Sequence, residues 1–198
     1  MSQRSLFPVV RESFAKGFVY EADFLSASEE NELLEQIRRL PLARAEYKEF
    51  LAKRRVVSYG GRYDFSAQRL LTDSEPMPAF LEPLRQRVAA WAGRAPAAFT
   101  HALIAEYAEG TQLGWHRDVP QFELVVGVSL HGPCRMRFRR YPPAQRERSI
   151  AVDLAPRSIY RLEGEARWEW QHRIPPTPTL RYSITFRTLR RSGSAGAA

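Results

Sequence analysis

The chain has 198 residues, enough for one domain with a substantial core and an N-terminal extension, and its 44% hydrophobic and 26% charged content is ordinary for a soluble globular protein. No stretch is apolar enough to cross a bilayer, the opening MSQRSLFPVV lacks the apolar core of a signal peptide, and the single cysteine, Cys134, excludes an intramolecular disulfide and fits a reducing cytoplasm. The formal charge of +8 comes from 30 Lys and Arg against 22 Asp and Glu, nearly all of the cations being Arg; this favours nucleic acid as a partner, and a coding bias toward Arg and Ala accounts for it equally well.

The first element in chain order is SASEENELLEQIRRL (26–40), where a Ser cap, early acids, late arginines and apolar positions at helical spacing predict an amphipathic helix ended by Pro41. RRVVSYGGRYDF (54–65) reads as a strand, a Gly-Gly turn and a second, aromatic-rich segment, and the Pro-rich loop DSEPMP follows it. PAFLEPLRQRVAAWAG (78–93) predicts a helix with Leu81, Leu84, Val88 and Trp91 near one face. From about Thr100 the character changes to short β-type runs: HALIAEY, TQLGWH, FELVVGVSL, CRMRFRR, RSIAVDL, RSIYRLEG, RWEWQHRI and LRYSITFRTL. Eight such runs in under a hundred residues predict an antiparallel sandwich or jelly roll, with the two preceding helices bracing one sheet. RRYPPAQRERS (139–149) is a basic loop between strands, RRSGSAGAA at the C-terminus is a disordered tail, and there is no internal repeat. The fold class is α+β with a β core.

In the second of these strand signals and the residues after it, QLGWHRDVP (112–120), Gly114 and Pro120 argue against a helix and for a strand running out into a loop. Side chains at i and i+2 of a strand share a face, so His116 and Asp118 can converge on one point, although a lone His-x-Asp is common by chance. Of the other histidines, His172 in WEWQHRIPP ends a run just before a proline, as His116 does; His131 beside Gly132-Pro133 reads as a turn residue, and His101 as a satisfied strand histidine. Two His and one carboxylate on one side of Fe(II) form the facial triad of non-haem iron oxygenases. RYSITFR then alternates strictly, with Arg181, Ser183, Thr185 and Arg187 on one face and Tyr182, Ile184 and Phe186 on the other. On an ordinary sheet the arginines are solvated charges; in a barrel that encloses a polar ligand they can close inward on a small dicarboxylate by the bidentate fork, and beside iron that diacid is 2-oxoglutarate.

Together, His116-x-Asp118, His172 and the Arg181/Arg187 pair in RYSITFR resemble the AlkB-like Fe(II)/2-oxoglutarate dioxygenases, and EYAEGTQLGWHRD is similar to that family's segment before the first ligand. The resemblance spans roughly 18–188. It implies one compact domain: a double-stranded β-helix core over 100–190, N-terminal helices and a variable substrate-recognition lid over 1–99, and a tail over 191–198. It also implies Fe(II) held by His116, Asp118 and His172, O2 as co-reactant, Tyr107 and Arg181 on the distal carboxylate of 2-oxoglutarate with Ser183 nearby, and Arg187 near the carboxylate that chelates iron. The chain departs from the family's pattern at Ala105 and Ser183, where Asn is common and offers more hydrogen bonds to the cosubstrate, and after Asp118, where Val119-Pro120-Gln121 stand in place of acids that read a damaged base.

The activity implied is oxidative demethylation of alkylated DNA or RNA bases, with formaldehyde, succinate and CO2 as products. A base so treated must leave its stack, and SYGGRYDF supplies Tyr59, Tyr63 and Phe65 beside Arg54, Arg55 and Arg62 for stacking and phosphate contact; packing of the lid onto the core accounts for each aromatic equally. Trp115 is expected to face away from the metal into the core, and Trp168 and Trp170 to pack on one sheet face. The expected partner is nucleic acid, with no membrane, for a cytoplasmic monomer. The same oxygenase chemistry on a protein side chain or small molecule, or a silent nucleic-acid-binding relative, are the alternatives.

Overall fold

The computed structural model describes residues 14–47, 50–64, 69–71, 75–145 and 148–190. In chain order the elements are β1 (Phe18–Glu21), α1 (Ala27–Ile37), β2 (Ala43–Tyr47), β3 (Phe50–Tyr59), β4 (Arg62–Asp64), β5 (Arg69–Leu71), α2 (Glu82–Ala92), β6 (Phe99–Tyr107), β7 (Leu113–His116), β8 (Phe122–Leu130), β9 (Cys134–Arg140), β10 (Ile150–Leu154), β11 (Ile159–Leu162), α3 (Gly164–Trp168), β12 (Trp170–Ile174) and β13 (Arg181–Leu189). A seven-stranded sheet runs β1-β11-β8-β13-β6-β3-β2 and a four-stranded sheet β10-β9-β12-β7, while β4 and β5 pair apart from both. Every ladder is antiparallel. β6 to β13 are the eight runs anticipated after Thr100, folded as the double-stranded β-helix.

Two apolar clusters hold the layers together. On the outer face of the large sheet, Leu33, Leu34 and Ile37 of α1 and Leu84 and Val88 of α2 meet Ile104, Val126, Val128, Ile184 and Phe186. Between the sheets, Tyr107, Val125, Met136, Phe138, Leu154, Tyr160, Trp170 and Ile174 form a second cluster. The alternation of β13 decides what lies where: Tyr182, Ile184 and Phe186 face the helices, so Arg181, Ser183, Thr185 and Arg187 point between the sheets.

The helices start where their caps dictate. Ser26 Oγ accepts from the Glu29 N–H at 3.2 Å and Glu29 Oε2 accepts from the Ser26 N–H at 2.8 Å, a reciprocal capping box. Helix α1 stops at Ile37, and the predicted residues up to Leu40 instead form a closing turn in which Arg39 and Leu40 donate to Gln36 and Ile37 carbonyls. Helix α2 begins after a short 3-10 turn (Ala79–Leu81) and ends on Gly93, whose φ of 66° is the left-handed value a C-terminal glycine accepts.

Several expectations are corrected. RWEWQHRI is not one strand: Trp168 closes α3 and Trp170 opens β12, so the two tryptophans do not share a sheet face. Trp115 does face away from the interior, but it lies half-buried on the outer side of the small sheet, with the Arg139 and Arg173 guanidiniums 4.4 and 5.1 Å from its ring centre. The Gly-Gly turn does not fold its second segment back onto β3; β4 pairs with β5 instead. Gly60 there has φ +72°, and a Cβ on it would stand 1.8 Å from the Thr100 carbonyl oxygen, so the strand exit needs glycine. Tyr59, expected on a stacking surface, is 7% exposed and packs in the helix-side core. Arg62 and Tyr63 lie on β4, but their side chains, Phe65 and the expected tail 191–198 lie outside the described residues. Among the described residues no helix is long and apolar enough to cross a membrane.

Candidate metal centre

Antiparallel pairing of β7 with β12 places His116 directly opposite His172, and their ring centres are 4.2 Å apart. Asp118 follows two residues after His116, where β7 has run into its loop. One ligand atom from each of His116, Asp118 and His172 lies within 4.8 Å of the others, the arrangement a single ion needs. His172 Nε2 is 3.7 Å from Asp118 Oδ2.

The surroundings fix which atoms face the shared point. His116 Nδ1 lies 2.9 Å from the Gly114 carbonyl oxygen, which can only accept, so the proton sits on Nδ1 and Nε2 keeps its lone pair. Arg187 donates to Asp118 Oδ1 from Nε at 2.9 Å, and its Nη2 lies 2.8 Å from the same oxygen, leaving Oδ2 turned toward His172. Burial pushes the His172 imidazole down to about 3 and lowers His116 as well, so both are neutral at neutral pH. Burial alone would raise Asp118, but Arg187, then His172, Arg167 and His116, hold its carboxyl well below the usual range. Two neutral imidazoles and an ionised carboxylate are the donor set for a divalent transition metal.

The anion side is built on β13. Arg181 is 1% exposed; its Nε donates to Ser129 Oγ at 3.1 Å, its guanidinium lies 5.1 Å from the Tyr107 ring centre, and its Nη1 is buried with no partner among the described residues. Arg181 and Tyr107 are direct cross-strand partners, and the two departures from the family's pattern, Ser183 and Ala105, also face each other. Tyr160 lies over Gly127, where a Cβ would stand 2.4 Å from the tyrosine ring. Burial raises the Tyr160 phenol, which also feels Arg181, Asp118, Tyr107 and Arg187, so metal side and anion side share one interior. An unpaired buried guanidinium is costly, and a carboxylate supplied from outside answers it.

Two contributors went unread in the sequence, and a third was read only as a strand histidine. Ser129, the hydrogen-bond partner of Arg181, is the one hydroxyl within FELVVGVSL and could have been found from its place on the inward face. Arg167 on α3 is 2% exposed, and its Nη2 donates to the carbonyl oxygens of Asp118, Val119 and Phe122 at 3.1, 2.7 and 2.9 Å, holding down the loop that presents Asp118. No local pattern signals it, because EARWEW reads as strand. His101 was read as satisfied; its Nδ1 lies 3.4 Å from Arg187 Nη1, and burial, then Arg187, push its imidazole down to about 3, so it stays neutral and accepts.

Comparison with known proteins bears on this geometry. The profile of the 2OG-Fe(II) oxygenase superfamily matches residues 17–187. An Arabidopsis thaliana protein named "Alkylated DNA repair protein ALKBH8 homolog" is 31% identical over 77% of this chain and 49% of its own length. "Uncharacterized protein L905" of Acanthamoeba polyphaga mimivirus is 30% identical over 44% of this chain and 47% of its own. The chain thus spans about half the length of the curated relatives it matches. A solved structure of OsALKBH1 superposes with a TM-score of 0.68 at 14% identity, covering 87% of this chain and 98% of that one.

Proposed function

Because this chain belongs to the 2OG-Fe(II) oxygenase superfamily and is AlkB-like, we propose that it oxidatively removes alkyl groups from nucleic-acid bases, with His116, Asp118 and His172 as the ligands of Fe(II). The observation that carries this reading is the triad's neighbour: Arg181, fully buried, with a guanidinium nitrogen left over. That nitrogen fits the distal carboxylate of 2-oxoglutarate, which Tyr107 and Ser183 would flank, while Arg187, bonded to Asp118, would lie toward its other carboxylate.

When bound, iron with 2-oxoglutarate and O2 supplies an oxidation that hydroxylates a C–H bond and yields succinate and CO2; on an N-methyl group the product breaks down to formaldehyde and the free amine. The chain's own residues do the positioning. Arg187 occupies Asp118 Oδ1 so that Oδ2 is offered to the metal, the Gly114 carbonyl sets the His116 tautomer, and burial keeps both imidazoles unprotonated. Arg181 orients the diacid through charge-assisted hydrogen bonds.

Support for a nucleic-acid substrate comes from the printed name of the Arabidopsis thaliana relative, from the net charge of +8 and from Arg54, whose charge is felt at His116. Within the region up to residue 99, whose helices brace the large sheet, the segment of β4 and β5 serves as the recognition lid in this reading. Stacking falls to Tyr63 and Phe65, with Arg62 for phosphate, since Tyr59 is committed to the core. The protein works as a monomer in the cytoplasm, where the buried Cys134 thiol stays reduced.

The test is a screen of methylated single-stranded DNA, RNA and peptides with Fe(II) and 2-oxoglutarate, reading formaldehyde. Release from oligonucleotides is expected; release from a peptide alone overturns the nucleic-acid reading. His116→Ala and His172→Ala are expected to fall to background while keeping the far-UV spectrum, and undiminished turnover in either contradicts the iron assignment.

A further inference from the structure

The outer face of the small sheet has no assigned role. On β9 the residues alternate, with Cys134, Met136 and Phe138 buried inward and Arg135, Arg137 and Arg139 turned out. On β12, His172 points in and Arg173 points out directly opposite Arg137. Arg135 pairs with Asp153 at 3.2 Å, whereas Arg137, Arg139 and Arg173 have no carboxylate within ion-pair distance among the described residues. Among the described residues the buried Nε atoms of Arg137 and Arg173 have no partner, and Arg139 Nε donates to the neutral Gln171 Oε1 at 2.9 Å.

Like charges directly across a ladder destabilise it, and among the described residues no carboxylate of the sheet pairs with either. The guanidiniums are also organised, since those of Arg139 and Arg173 lie over the Trp115 ring, and among the described residues their Nη groups have no hydrogen-bond partner. Arg137 and Arg139 lie about 7 Å apart along one strand, and Arg173 stands about 5 Å to the side on the next. Such a ladder of forks fits a chain of anions repeating at similar intervals.

The geometry points to this face as a track for the phosphodiester backbone of a nucleic-acid strand, with Arg137, Arg139 and Arg173 as the phosphate contacts. The inference rests on the proposed nucleic-acid reading and adds where the strand runs outside the pocket. The same small sheet bears His116 and His172 on its inner side, so a strand held on the outer side is one sheet's thickness from the metal and enters around β7, the edge strand.

The experiment compares the full chain with the triple variant R137Q/R139Q/R173Q for binding a fluorescent single-stranded oligonucleotide across a salt series. The variant is expected to bind at least roughly tenfold more weakly, with the slope of log affinity against log salt shallower by about 2, since each single-strand phosphate contact contributes about 0.7. Uncoupled conversion of 2-oxoglutarate to succinate is expected to be unchanged, showing an intact interior. Wild-type affinity and slope in the variant overturn the proposal, as does loss of binding to anionic lipid vesicles with oligonucleotide binding retained. Should the variant fail to fold, phenylglyoxal modification of the wild-type protein decides: oligonucleotide is expected to shield these three arginines, and unshielded modification overturns the track. Oligonucleotide binding lost in the variant, with no formaldehyde from any oligonucleotide, keeps the track and rejects the dealkylase reading; formaldehyde release with binding unaffected does the reverse.

Discussion

At the scale of single residues, the site is organised by arginines that each do one thing. Arg187 spends Nε and Nη2 on Asp118, Arg167 spends one amino group on three loop carbonyls, and Arg181 keeps a nitrogen in reserve. The reserve makes a separable prediction. Arg181→Met preserves bulk and removes the charge, so the empty protein is expected to be no less stable, because an unpaired buried cation is itself unfavourable. Affinity for 2-oxoglutarate, read by calorimetry with Mn(II) in place of iron, is expected to fall about 10- to 100-fold, the worth of a charged hydrogen bond of about 1.5–3 kcal/mol, while metal affinity changes little. A large drop in melting temperature with cosubstrate affinity intact instead assigns Arg181 to packing.

At the scale of elements, legibility followed periodicity. β13 could be read residue by residue because a polar row and an apolar row alternate without a break, and α1 because its cap and its reciprocal Glu lie within one turn. His172 was found because a proline stop follows it. β1 and β2 went unread because neither short strand has clean alternation: they are added to the edges of the large sheet by tertiary pairing with β11 and β3. Helix α3 was hidden by Trp168 and the neighbouring Trp170 of β12, which favour a strand reading, whereas what holds it is Arg167 reaching under the loop that carries Asp118. β8 offers the prediction proper to this scale. Gly127 is the bare position on which Tyr160 lies, so Gly127→Val is expected to cost about 1–3 kcal/mol in denaturant unfolding by overpacking. Much of that cost is expected to vanish in the Tyr160→Leu background; additive losses show that the strand, not the tyrosine, resists the side chain.

At the scale of the whole molecule, buried histidines tie stability to pH. His101 and His172 titrate near 3 in the folded chain because burial disfavours their charged forms, against about 6.5 when unfolded. Between these values the unfolded chain binds more protons, so stability is highest above about pH 6.5 and falls as pH drops toward 3. Urea midpoints of the metal-free protein are expected to decline steadily through that window and to be flat from pH 7 to 8; a midpoint that rises on acidification contradicts the burial of these rings. The two-layer plan has one more consequence. His116 and His172 belong to the small sheet, Arg181 and Arg187 to the large one, and their side chains meet between the two layers. A metal held by the histidines together with a diacid held by the arginines would therefore rivet one layer to the other through the middle of the sandwich. The loaded chain would then resist a protease longer than the empty one, for as long as the five-carbon molecule stays bound.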